Sequence, residues 1–137
     1  MQSYAHKAKL DLPFEVALAK TREALHHEGF LIITEINLQQ QVDEKLHQPI
    51  RHYWILGVWV PVLELRAIAN EPEIGLLMPS HICVWENADG TATITVPDLK
   101  HLVEMTEHPK LMDAARAVNA RLSAVMDWVR TTTMADA

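Results

Sequence analysis

Apolar side chains recur along this chain at two spacings, one of three to four residues and one of two, and the switches between them divide it into helices and strands. After a polar lead over residues 1–10, Pro13 opens a first helix, with Asp11 and Glu15 near its positive end and Phe14, Leu18 and Leu25 at helical spacing. Gly29 is placed to end it in a left-handed conformation, and Phe30 to Thr34 then reads as a buried strand. Asn37 and Gln40 form a capping box for a second helix that carries Leu38, Val42 and Leu46 on one face. From Ile50 to Val58 the chain alternates, with His52, Trp54, Leu56 and Val58 on one side and Arg51, Tyr53 and Ile55 on the other. Pro61 suits the first turn of a third helix, in which Val62, Leu65 and Ile68 are expected to face inward before Asn70 and Pro72 stop it.

The stretch Gly75 to Glu86 is apolar and β-prone, Asp89-Gly90 signals a two-residue hairpin turn, and Thr91 to Val96 alternates Thr with Ala, Ile and Val. Asp98 can cap a helical turn through Val103. Lys110 to Arg130 carries Leu111, Ala114, Val118, Leu122, Val125 and Trp128 as the stripe of a long helix expected to cross the sheet. The resulting order, α, β, α, β, α, β, β, α, α, predicts an α+β fold: a mixed or antiparallel sheet covered by helices on one face. A single domain over residues 1–137 is expected, with a loose tail over 131–137.

Composition narrows the function. The net charge of -6 and scattered basic residues argue against a nucleic-acid partner, and no window has the length of a membrane span. The polar, basic N-terminus shows no apolar signal region, so a cytoplasmic location is expected. Cys83 is the one cysteine and sits in an alternating strand pattern, which excludes an intrachain disulfide and reads as an inert buried thiol.

Three segments resemble the domain of unknown function 302 family. They are Ala24-Leu25-His26-His27-Glu28-Gly29-Phe30 leading into Ile33-Thr34-Glu35-Ile36; Tyr53 to Pro61; and Glu71 to Ser80, followed by the strand Ile82 to Glu86 and the Asp89-Gly90 turn. The resemblance implies a compact α+β fold of the TATA-binding-protein-like class and a homodimer. Family members often carry one cysteine two residues before the helix-opening proline and another after the later proline. Here those places hold Trp59 and Ser80, so the resemblance carries no thiol pair over to this chain.

Several constellations bear on chemistry. His101, Glu104 and His108 have a metal-like spacing on a helix, but Pro109 takes His108 out of register, so no metal site is assigned. His26 and His27 suit the negative end of the first helix. No serine has the partners of a nucleophile, and the carboxylate pairs Glu71/Glu73 and Asp43/Glu44 read as solubility charge, so no enzymatic reaction is assigned. The four tryptophans read as core and interface anchors. Pro79 interrupts a strand-like run and marks an edge or bulge that can re-aim its neighbours. The candidate ligand-binding residues are therefore Trp59, Pro61, Met78, Ser80 and His81, which would line one cleft for a small molecule or protein partner if the two segments adjoin. A haem or redox role with Met78 and His81 as axial ligands, and an interaction module without ligand, stand as alternatives, and no cofactor is specified.

Overall fold

A computed structural model describes residues 4–131 of the chain. Strands β1 (Ala5–Leu10), β2 (Leu31–Asn37), β3 (Tyr53–Trp59), β4 (Ser80–Glu86) and β5 (Ala92–Pro97) form one sheet in the order β1-β5-β4-β3-β2, antiparallel at every pairing. Helices α1 (Phe14–His27), α2 (Leu38–Leu46), α3 (Pro61–Asn70), α4 (Leu99–Glu104) and α5 (Lys110–Thr131) complete the fold, with a 3₁₀ turn at Pro72–Leu76. The α+β expectation therefore holds, and the sheet is antiparallel.

Burial of one sheet face organises the packing. Ala8, Leu56, Val58, Ile82, Val84, Ile94 and Val96 alternate inward along four strands. Against them lie Leu18, Ala24 and Leu25 of α1 and Leu122, Val125 and Val129 of α5, all in one apolar cluster. At about 25 cal/mol per Å² this shared burial is the main favourable term in folding. The α5 stripe follows the expected rhythm through Leu111, Val118, Leu122 and Val125, with Ala115 more deeply buried than Ala114 and Val129 more deeply than Trp128.

The opposite face carries a row across the sheet, Lys7, Thr95, Cys83, Ile55 and Ile36, in register. Tyr53 and Trp85 stack beside that row with ring centroids 5.6 Å apart. Cys83 is half-buried there. Trp54 lies on the helix-covered side, with the Arg22 guanidinium 5.3 Å above its ring, while Trp128 packs on the rim of the core beside Lys20.

Turns form where the residues require them. The end of α1 is a Schellman motif: Phe30 N–H donates to Leu25 C=O at 2.9 Å, Gly29 N–H donates to His26 C=O at 3.1 Å, and Gly29 has φ +84°. Arg121 of α5 donates to Glu28 C=O at 2.9 Å, tying the two main helices together. Asn37 caps α2 by accepting from Gln40 N–H at 3.1 Å, and Asp98 caps α4 by accepting from Lys100 N–H at 3.1 Å. Asp98 also accepts from Asn119 Nδ2 at 3.0 Å, which fixes α4 against α5.

Several expectations need correction. Residues 5–10 of the polar lead form β1, an edge strand whose Lys7 and Lys9 face solvent while Ala8 and Leu10 face the core. Strand β2 is the other edge and is largely exposed rather than buried, because no helix covers Leu31, Ile33 or Ile36. Helix α2 buries no residue completely, and Leu46 is exposed. Residues 75–79 belong to the 3₁₀ turn and its exit, and the Met78–Pro79 peptide is cis. The β4–β5 hairpin closes through Asn87 and Thr91 around three loop residues, Ala88, Asp89 and Gly90, with Gly90 at φ +84°, so its loop is longer than a two-residue turn. Thr131 ends α5, and the remainder of the anticipated tail, residues 132–137, lies outside the described residues.

Gly57 sits where β2 bulges past β3, and a Cβ there would collide with the Thr34 hydroxyl and meet Pro79 Cγ at 3.2 Å. Gly57→Ala is expected to destabilise the domain by about 1–3 kcal/mol in urea denaturation. Adding Thr34→Ala should recover part of that loss; equal stability of Gly57→Ala and the parent would contradict the packing.

Candidate functional site

Below the main core, a second apolar cluster joins Ala67 of α3, Ile74 of the 3₁₀ turn, Val103 of α4, and Leu111 and Ala115 of α5. Beside it lies a half-open pocket of about 40 Å³ whose lining includes Glu64, Met78 and Ser80. Its walls are otherwise aliphatic.

Helix α3 turns a carboxylate into this space because of how it starts. Leu56, Val58 and Val60 continue the inward alternation of β3, and Val60 is also the residue that caps α3. Glu64 N–H donates to Val60 C=O at 3.0 Å, so the helix begins with no intervening loop and inherits an inward Val60. Four and seven residues later, Glu64 and Ala67 fall on that same inward face. The expected inward stripe of Val62, Leu65 and Ile68 is accordingly turned to solvent, with Leu65 66% exposed, while Glu64 is 3% exposed. Periodicity gave the helix, but the strand junction fixes its rotation.

The electrostatics follow from burial. The Glu64 carboxyl oxygens are buried and make no short side-chain hydrogen bond among the described residues, and only the Val60 backbone lies close enough to favour the charged form. Desolvation pushes the Glu64 carboxyl up from the usual 4.5 to about 7, with the nearby Val60 backbone offsetting only part of the effect. The Ser80 hydroxyl, on a residue 3% exposed, has no partner. Two poorly hydrogen-bonded polar groups buried beside apolar walls are costly, because burial without hydrogen bonding costs roughly 1–3 kcal/mol for a neutral group and more for a charge.

The anticipated site residues separate into two groups. Met78 and Ser80 both line the cavity, joined by Glu64, which the sequence reading did not single out. Ser80 pairs with the inward Val58, whereas His81 pairs with Gly57 and lies exposed on the uncovered face. Met78 and His81 therefore do not converge on one axial-ligand geometry. Trp59 ends β3 opposite Leu31 on the uncovered face, and its buried indole N–H has no partner. Pro61 is half-buried at the first turn of α3 and does not line the cavity.

Other ionisable groups make local ties. His101 lies 3.7 Å from Glu104 and 3.8 Å from Asp98, and His27 lies 3.0 Å from Glu28 in the last turn of α1. Among the described residues, no group of three His, Cys, Asp or Glu side chains is arranged to hold a metal ion, and no helix is long and apolar enough to cross a membrane.

Comparison with known proteins places the fold. The sequence model of the family described as domain of unknown function DUF302 matches residues 6–129. The crystal structure of an uncharacterized conserved protein DUF302 from Bacillus stearothermophilus superposes with a TM-score of 0.86 at 23% identity, covering 94% of this chain and 100% of that one. At that identity the likeness speaks to the fold. No curated protein matches.

The raised Glu64 value sets a pH dependence. The folded protein holds this proton more tightly than the unfolded chain, so the contribution is full below about pH 4.5 and is lost as pH rises through about 7. Stability is expected to be about 2–3 kcal/mol lower at pH 8 than at pH 5 from this group, and Glu64→Gln should remove that slope. Parallel pH profiles of denaturant unfolding for the two proteins would contradict the assignment.

Proposed function

The chain belongs to the domain of unknown function DUF302 family, and from the half-open pocket that its own residues line we propose that it binds a small molecule between α3, α4 and α5. The observation that carries this reading is that a buried Glu64 and a buried Ser80 both line one otherwise aliphatic pocket. An occupant with a small, largely apolar body would fill the aliphatic walls. Met78 supplies an adaptable surface against that body. Glu64, Ser80 and Met78 are the binding residues of this proposal. No reaction is part of it.

A second copy of the chain is the proposed protein partner. Edge strand β2 leaves its outer side unpaired and exposes Leu31, Ile33 and Ile36, a surface suited to another apolar edge. Ile33→Lys should shift a sedimenting dimer to monomer while retaining the folded circular dichroism signal; a parent protein that is monomeric across micromolar to millimolar concentrations would remove the dimer.

For the cavity, a thermal-shift panel of small, largely apolar molecules provides the test. A ligand present at one hundred times its dissociation constant stabilises the native state by about 2.7 kcal/mol, corresponding to roughly 9 °C in melting temperature for a domain of this size. Ala114→Leu, which extends a side chain from the cavity wall, is expected to abolish the shift. The same shift in this variant would place the ligand elsewhere, and an interaction module without a ligand would show no shift with any compound.

A further inference from the structure

Away from the pocket beside α3, and independent of it, a half-open groove of about 410 Å³ runs between β1, β5 and α5. We infer that it binds an organic anion, a carboxylate or phosphate head carrying an aliphatic tail. Charge makes the first selection. Among the described residues the groove is lined by Lys100, Arg116, Arg130 and His6 and by no carboxylate, on a chain whose net charge is -6. The side chains of Arg116 and Arg130 are 66% and 48% exposed, and Lys100 is exposed as well. An entering ligand therefore meets accessible cationic N–H donors, which favour an anionic head.

Hydrogen bonds gather two of these cations at one end. Asp98, which opens α4, accepts from Lys100 N–H at 3.1 Å and from Asn119 Nδ2 at 3.0 Å, while Asn119 Oδ1 accepts from Leu99 N–H at 2.9 Å. These bonds hold Lys100 beside the turn of α5 that carries Asn119, and Arg116 lies one turn earlier on the same helical face. His6 joins them from β1, its Nε2 3.4 Å from Asp98. The Asp98 carboxylate is occupied by these donors, with His101 at 3.8 Å, and does not line the groove. Lys100 has no ion-pair partner among the described residues. Arg116 touches Asp113 at 3.4 Å, an exposed pair of the kind that contributes little, and its guanidinium keeps further N–H donors for a ligand.

The rest of the groove suits an apolar tail. Between Arg116 and Arg130, about 21 Å apart along the helix axis, α5 presents the small side chains of Ala120 and Ser123, so the helix surface recedes there. The floor is Val96 of β5 with Leu122 and Met126 of α5. Arg130 closes the far end, 3.7 Å from Asp127 and donating to the Lys7 C=O at 3.4 Å. A head held by Lys100 and Arg116 lays its tail over Ala120 and Met126. An inorganic anion would use the charged end and leave the floor unfilled, and an alkylammonium ion would set its charge against Lys100 and Arg116.

The test is an NMR titration of the intact protein that follows the Ala120 and Met126 methyl groups as sodium octanoate, octyl phosphate or octylammonium chloride is added. Saturable shifts are expected with one or both anions at a dissociation constant of about 0.1–1 mM, within reach of about ten non-hydrogen atoms. The tighter of the two names the head group. Octylammonium should bind at least about tenfold more weakly. Salt at about 1 M, where the Debye length is about 3 Å, should weaken the anions severalfold. Lys100→Gln combined with Arg116→Gln should weaken them about tenfold, and Ala120→Leu should abolish binding by filling the groove. All three positions are exposed, so both variants should keep a cooperative melt. Equal affinity for octylammonium, unchanged anion affinity in either variant, or anion shifts confined to the Met78 and Ile74 methyls of the other pocket overturns the proposal. So does the absence of a saturable shift up to about ten times the expected dissociation constant.

Discussion

Val60 closes the inward alternation of β3 and, without a loop, starts α3, so a period-two arrangement sets the rotation of a period-3.6 one. The consequence reaches the whole lower half of the molecule. The sheet is covered on one face by α1 and α5, which holds Leu56, Val58 and Val60 inward. Once Val60 is inward, Glu64 must follow, and the carboxyl enters the apolar space between α3, α4 and α5. Relieving that conflict by rotating α3 would expose Val60 or tear it from the end of β3.

Helix α3 is accordingly inverted in polarity. Its outer side carries Val62 and Leu65, and its inner side carries Glu64 beside Ala67. A sequence selected for stability alone would place a leucine or methionine at position 64, since an apolar residue there would fill the pocket without a desolvation penalty. A carboxyl at a costly position is the kind of local conflict expected where binding rather than packing dictates the residue. Ser80 makes the same point at smaller scale, because a hydroxyl buried without a partner adds nothing to the core.

Much of the fold was legible because its signals are local. Gly29 announces the end of α1, Asn37 and Asp98 announce caps, and the alternation of Ala92, Ile94 and Val96 announces β5. The edges were harder to read. In β1 the lysines that guard an open edge also disguise it as a polar lead, and in β2 an apolar run suggested burial although its neighbours leave it uncovered. At the site, Met78 and Ser80 were legible through the irregular proline between them, but His81 is carried to the other face by the alternation of β4. Glu64 was hidden because helical periodicity specifies which residues share a face and says nothing about which face turns inward. The inward Val60 held that information, one residue outside the helix.

Glu64 is a carboxyl buried by the rotation of α3, with only the Val60 backbone close enough to favour its charge. The most direct test of this burial is a ¹³C NMR titration of the Glu64 side-chain carboxyl in ligand-free protein, assigned by its disappearance in Glu64→Gln. A midpoint near 7 is expected, well above the usual 4.5. A midpoint at or below 4.5 would mean that the carboxyl is solvated or paired, and would contradict the account of α3 and its cavity.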